Sequence, residues 1–256
     1  MLLDVYRKIY FMRLASIAEG VQASTRIGLH KGNDFSRSVV HVIMPGSSCL
    51  DTALNIPDGD IVIGFNFSAL LPIKYDYIFI ENANDGDYSD IQYAACLYHS
   101  NYGAVSLMKN MWMPDRFSMR RLTSYSSFGE LVLDIPLRPR IIASRSMIKR
   151  WLLNKSYAYS SFLSSTFFAL NYLYCSGCKE VILHGVDFGG SYFWELTNDI
   201  CVDASRVAGY KSKPTHSTEL GVTPFSRLIV ELVCELRGQG VRVRAASDTG
   251  VLGRLL

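Results

Sequence analysis

The sequence predicts an α/β protein: one doubly wound, mainly parallel sheet with helices between its strands and a small lid-like insertion. Two observations carry this expectation. Short apolar runs recur along the chain, each closing on a polar residue or a tight turn, and helical periodicities fall between them. The length agrees, because 256 residues suit one large domain that can bury a full core without staples.

Taken in order, the chain opens on a segment, Met1 to Ile17, spaced as an amphipathic helix. Leu3, Tyr6, Tyr10, Leu14 and Ile17 fall on one stripe. Asp4, Arg7, Lys8 and Arg13 interrupt it, so it lacks the apolar centre of a signal peptide. Packing on the domain is the favoured role, although its basic residues also suit a membrane surface. Strands are expected at Val39 to Met44, Ile61 to Phe65, Tyr77 to Ile80, Arg140 to Ala143, Val181 to Val186 and Val241 to Ala246. Their near-continuous apolar character indicates burial on both faces. Helices are expected from about Ser47 to Leu54, from Ser164 to Tyr174, and across Phe225, Leu228, Ile229, Leu232, Val233 and Leu236. For the last, Pro224 marks the first turn and Gly238 and Gly240 the end.

Composition narrows the function. The chain is 49% hydrophobic and 19% charged, which is ordinary for a globular protein. No run approaches the roughly 18 apolar residues of a membrane span, so a cytoplasmic location is expected. The net charge of +3 comes without a long Lys/Arg block, which argues against a nucleic-acid arm. Lys109, Arg116, Arg120 and Arg121 make the nearest basic set and read equally well as a solvated face. Cys175 and Cys178 form a CxxC without a second pair or matching histidines, whereas zinc needs about four ligands. All six cysteines (Cys49, Cys96, Cys175, Cys178, Cys201 and Cys234) read as buried thiols.

In doubly wound sheets, ligands bind beyond the carboxyl ends of the strands. The residues that close the predicted strands are Ser47 and Ser48, Asn66, Glu81 and Asn82, and Asp187. Pro45-Gly46-Ser47-Ser48 is a small-residue turn: Gly46 permits close backbone approach, and Ser47 and Ser48 can cap the next helix or bind phosphate. Ser164-Ser165-Thr166 opens another helix, with capping or nucleotide binding as the two readings. His184, inside a strand, reads as packed. His216 lies in the polar stretch Lys213 to Glu219, where a histidine suits either proton abstraction at neutral pH or simple exposure to solvent.

These pieces fall in a known order. Ser164-Ser165-Thr166, then Gly177-Cys178-Lys179-Glu180-Val181, then Gly185-Val186-Asp187-Phe188, Ser191-Tyr192 and His216-Ser217 together resemble the bacterial sialyltransferases of glycosyltransferase family 42. Met44-Pro45-Gly46-Ser47-Ser48, Asn66 and Asn82 match that family's N-terminal half more loosely. The resemblance runs from about residue 39 to 256, with no match for about 88–160. Pro45 stands where the family has an asparagine, and Gly189 where it has a tyrosine. The resemblance implies a helical extension over 1–38 and a Rossmann-like nucleotide-sugar-binding glycosyltransferase domain over 39–256.

It further implies an inverting transfer of sialic acid, or a related acidic sugar, from a CMP-activated donor to a glycan or glycolipid hydroxyl. Surface glycan synthesis (lipopolysaccharide or capsule) would be the setting. His216 would be the base and Tyr192 the partner of the departing phosphate, with Tyr125 available for the family's second tyrosine. Gly46, Ser47, Ser48, Asn66, Asn82, Ser165, Thr166 and Asp187 would line the nucleotide site. No metal or other cofactor is expected, and no nucleic acid. Peripheral contact with the inner membrane and a homo-oligomer are compatible with the resemblance. Related folds leave alternatives: a Kdo transferase, a pterin-type diphosphokinase needing ATP and Mg²⁺ with Glu81, Asp85, Asp87 and Asp187 near phosphate, or a non-enzymatic scaffold.

Overall fold

The computed structural model describes residues 35–81, 86–110, 165–188, 190–210, 223–248 and 251–256, with short stretches at 132–133, 138–139, 158–159 and 219–220. The expected N-terminal helix, most of the 1–38 extension and the strand expected at Arg140 to Ala143 lie outside them. So do Asn82, Asp85, Tyr125, Gly189 and His216.

Seven strands make one sheet: β1 (Val39–Ile43), β2 (Ile61–Phe65), β3 (Tyr77–Glu81), β4 (Val105–Asn110), β5 (Val132–Leu133), β8 (Glu180–His184) and β11 (Arg242–Ala245). Two two-stranded ladders lie apart from it, β6 (Arg138–Pro139) with β7 (Ala158–Tyr159), and β9 (Glu219–Leu220) with β10 (Thr223–Pro224). The sheet order is β11-β8-β1-β2-β3-β4-β5, and every neighbouring pair is parallel. The expected sheet is therefore present, and its seven-stranded part is wholly parallel.

Strand alternation sorts the core into two layers. Val40, Val42, Ile63, Phe65, Phe79 and Val181 face one side, against α3 (Ser165–Cys175) and α5 (Phe225–Gly238). Ile43, Val62, Ile78 and Ile80 face the other, against α2 (Gly86–Ser100) and short turns. Burial on both faces explains the unbroken apolar runs. The face of α5 is the one its spacing predicted, because Leu228, Ile229, Leu232, Val233 and Leu236 are all fully buried. Each such side chain contributes about 1.5–3 kcal/mol. Pro224 closes β10 rather than opening the helix, which begins one residue later.

The first predicted helix is shorter than expected. Only α1 (Cys49–Thr52) is α-helical, and a 3-10 turn over Ala53–Asn55 follows. Two further helices are short, α4 (Ala204–Val207) and α6 (Val251–Leu255).

The order of strands fixes where a ligand belongs. From β1 the chain steps outward through β2, β3, β4 and β5, whereas β8 and β11 add on the opposite side. The direction of winding reverses between β1 and β8. In open α/β sheets the crevice beyond the carboxyl ends at such a reversal is the binding position.

Candidate functional site

The loops that leave β1 and β8 meet at this reversal. The Gly46 amide donates to the Gly185 carbonyl at 3.0 Å, and the Met44 amide to the His184 carbonyl at 2.9 Å. A Cβ on Gly46 would stand 2.5 Å from both the Gly185 carbonyl oxygen and Asp187 Oδ2. The close approach that Gly46 permits here is to the loop after β8, whereas its sequence context suggested approach to a ligand.

Ser48 and Asp187 lock the two loops. The Ser48 amide donates to Asp187 Oδ2 at 2.9 Å and its hydroxyl to Oδ1 at 2.5 Å. Ser48 is the N-cap residue of α1, but its hydroxyl makes no cap bond, because Asp187 holds it. Hydrogen bonds to an ionised carboxylate are about twice as strong as neutral ones. A third strand of chain joins on the other side. The Ser47 amide donates to the Ser191 carbonyl at 2.9 Å and the Phe193 amide to the Pro45 carbonyl at 3.0 Å, so Gly46 and Tyr192 form an antiparallel bridge. The Tyr192 ring stacks on Trp194 at 4.4 Å between centroids.

Asn66 and Ser165 come from the neighbouring positions. Asn66 follows β2 with a left-handed φ of 53°, which asparagine tolerates better than most residues. Its amide nitrogen lies 3.4 Å from Ser165 Oγ, at the first residue of α3. Since α3 leads into β8, its N-terminus stands at the carboxyl edge of the sheet. Thr166 beside it is buried.

Of the residues singled out in the sequence, Gly46, Ser47, Ser48, Asp187 and Tyr192 come together in one cluster. Asn66 and Ser165 form a second contact on the same edge. A crevice beside the clamp is lined by Ser48, Thr52, His184, Asp187, Ser247 and Gly253, among others.

Beneath Ser48 lies a buried polar chain that the sequence reading did not assemble. His41 Nε2 is 3.0 Å from Asp60 Oδ2, and His41 Nδ1 is 2.9 Å from His184 Nε2. His184 Nδ1 is 2.9 Å from Thr52 Oγ1, which is 3.2 Å from the Ser48 carbonyl. Both rings are buried. A signal was present: His41 and His184 are polar residues within otherwise apolar strand runs, and buried polar groups need partners. His184 is packed, as expected, and it is also bonded.

Burial, then His41 and Arg244 nearby, push the His184 pKa down to about 3. Burial also lowers that of His99, whose Nε2 bonds the Ala69 carbonyl at 2.7 Å. Burial thus disfavours the charged form of both rings in the fold, while unfolded histidine takes a proton below about pH 6.5. Their contribution to stability is full above that pH and is lost as the pH falls toward the folded values. Each proton bound only by the unfolded chain costs about 1.4 kcal/mol per pH unit. Urea unfolding from pH 7 to 5 is expected to show stability falling with pH. A flat profile would mean that these rings are charged in the folded protein.

The remaining polar and thiol groups carry less chemistry. All six cysteines are free. Cys178 closes on the Glu180 carbonyl at 3.2 Å, and burial pushes its thiol up to about 11. Cys49, Cys96 and Cys178 are buried as expected, whereas Cys175 and Cys201 are half-buried and Cys234, on α5, is exposed. Among the described residues, no helix is long and apolar enough to cross a membrane. Nor do three or more His, Cys, Asp or Glu side chains gather there as a metal site.

No family model matches the sequence, and no curated protein matches it. Solved structures do share the fold. The sialyltransferase CstII from Campylobacter jejuni, in complex with the substrate analogue cytidine-5'-monophosphate, has a TM-score of 0.50 at 12% identity. It covers 86% of this chain and 84% of its own. The same enzyme with CMP-3FNeuAc gives 0.50 at 13% identity, with 85% of each chain covered. The monofunctional alpha-2,3-sialyltransferase Cst-I from Campylobacter jejuni gives 0.50 at 14% identity, over 89% of this chain and 83% of its own. The fold expected from the sequence resemblance is the fold that these sialyltransferases have.

Proposed function

We propose that the protein is a glycosyltransferase that moves sialic acid, or a related acidic sugar, from a CMP-activated donor to a glycan or glycolipid hydroxyl. One observation carries this reading. The winding of the sheet reverses at β1 and β8, and Gly46, Ser47, Ser48 and Asp187, four of the residues that the sequence resemblance assigns to the nucleotide, meet there, on a fold shared with sialyltransferases in complex with CMP or CMP-3FNeuAc.

The chemistry is consistent with the groups present. Breaking a CMP–sugar bond leaves negative charge on phosphate, and preorganised hydroxyl and amide donors stabilise that charge in the transition state. Asn66 and Ser165 are suited to hold the nucleotide, Tyr192 to meet the departing phosphate, and His216 to take the acceptor proton. Asp187 acts in this reading as the clamp that shapes the β1 loop. Its two oxygens receive Ser48, which leaves it poorly disposed toward Mg²⁺. Nothing favours the diphosphokinase alternative, and transfer is proposed to need no metal. The protein is proposed to work in the cytoplasm, at or near the inner membrane, in surface glycan synthesis.

Thermal shift tests the donor. CMP without metal is expected to raise the melting temperature, because a ligand that binds only the folded state stabilises it by mass action. Asn66→Gly keeps the left-handed backbone and removes only the amide. It is expected to weaken CMP binding by about 1–3 kcal/mol with little change in the melting temperature of the free protein. Stabilisation by ATP only with Mg²⁺, and none by CMP, would overturn the reading.

A further inference from the structure

The chain Asp60–His41–His184–Thr52 can be hydrogen-bonded in two ways. Its four members are linked by contacts of 3.0, 2.9 and 2.9 Å, and each ring has both nitrogens engaged. In the neutral form every bond points toward Asp60. The Thr52 hydroxyl donates to His184 Nδ1, His184 Nε2–H to His41 Nδ1, and His41 Nε2–H to the carboxylate. Thr52 then has no proton left for the Ser48 carbonyl.

Adding one proton reverses the direction. Thr52 takes a proton from the crevice it lines and passes its own to His184 Nδ1. His184 passes its Nε2 proton to His41 Nδ1, and His41 keeps the proton it shares with Asp60. His41 ends as an imidazolium against the Asp60 carboxylate, and His184 ends neutral with its proton on Nδ1. Thr52 now donates to the Ser48 carbonyl, 3.2 Å away. The balance is one proton taken up and two shared protons each moved to the opposite partner, while the third stays on His41 beside Asp60.

The surroundings favour that location for the charge. Among the described residues, Glu180 on β8 and Arg242 and Arg244 on β11 share the sheet face of the two histidines by strand alternation. Both arginines pair with Glu180, at 3.1 and 3.6 Å. Arg244 acts against a charge on His184, whereas the Asp60 carboxylate lies against His41. On α1, Asp51 is exposed, and burial holds Cys49 as a thiol, its pKa pushed up to about 12.

We propose that His41, His184 and Thr52 are positioning residues for the donor loop: a single proton, stored on His41 beside Asp60, decides whether Thr52 grips the Ser48 carbonyl. Ser48 is the residue that Asp187 clamps, so the proton state of the relay sets how firmly the loop after β1 is held. The link to donor binding rests on the glycosyltransferase reading, whereas the relay itself does not.

The test uses the full chain with ¹⁵N-labelled histidine. Ring nitrogen shifts, followed from pH 8 to 5 without nucleotide, are expected to show His184 passing from the Nε2–H to the Nδ1–H tautomer as His41 becomes doubly protonated. Asp60→Asn is expected to keep His41 neutral to lower pH and to delay the tautomer change with it. In the second arm, CMP affinity is expected to change with pH in step with His41, and Thr52→Val, which keeps the side-chain shape, is expected to remove that dependence. A His184 tautomer that stays fixed while His41 titrates, or a His41 that never titrates above the acid transition, overturns the relay. CMP affinity that follows pH equally in Thr52→Val overturns the link to Ser48. If wild-type protein binds no CMP at any pH, the donor reading fails, and the tautomer arm alone decides the relay.

Discussion

Gly185→Ala is expected to lower stability by more than about 4 kcal/mol, in the range reserved for severe backbone or core damage. Two causes combine. Gly185 has a φ of +66°, which costs an alanine roughly 1–2 kcal/mol. Its new Cβ would overlap the Met44 carbonyl oxygen and stand 2.9 Å from that of Gly46. Neither is the end of a flexible side chain, so the loops after β1 and β8 would have to part. For a chain of this size such a loss corresponds to a fall in Tm of roughly 8–16 °C. Gly59→Ala is the control. Its φ is +97°, and its Cβ would meet nothing within 4 Å, so only the conformational cost remains. Equal melting temperatures for the two variants would mean that the loops yield easily and that their packing is not what forms the site.

His216→Ala is expected to reduce transfer to acceptor by about 10²–10⁴-fold, the usual worth of a general base, with CMP binding nearly unchanged. The motivation is its place in a polar segment ahead of α5 and its match to the His-Ser segment of family 42. In the wild type the transfer rate is expected to fall at acidic pH, as a protonated imidazole no longer accepts a proton. The deciding measurement is rate against pH for both proteins with one acceptor. Full activity in the variant would move the search for the base to Asp187 and Glu219.

Apolar periodicity made much of the fold legible, and the exceptions have physical causes. Ile61–Phe65 is matched to the residue, and α5 to its buried face. β4 escaped notice because Ser106, Lys109 and Asn110 break its apolar run. α2 escaped because its buried side carries Gln92 and His99, which erase an amphipathic pattern. The described strand-end residues Ser47, Ser48, Asn66 and Asp187 do lie at the carboxyl edge of the sheet. What the sequence does not show is that Ser48 and Asp187, both among the residues that the resemblance assigns to the nucleotide, bind each other. The His41–His184 contact joins residues 143 positions apart, a distance that no local pattern can report.

That separation also governs how the molecule is made. The Ser48–Asp187 bond spans 139 positions, and ribosomes add about 5–20 residues per second. β1 to β4 therefore emerge and pair while β8 is still unwritten, for an interval on the order of 7–30 s. During it β1, Val-Val-His-Val-Ile, is an open, apolar sheet edge, the kind of surface on which strands of other chains add. His41 in its middle is the only polar interruption. Nascent fragments that stop before Glu180 are expected to aggregate or to be held by chaperones, and those that extend past His184 to be released. The pairing that brings the two loops together at the crevice is thus also the step that ends the chain's most vulnerable moment.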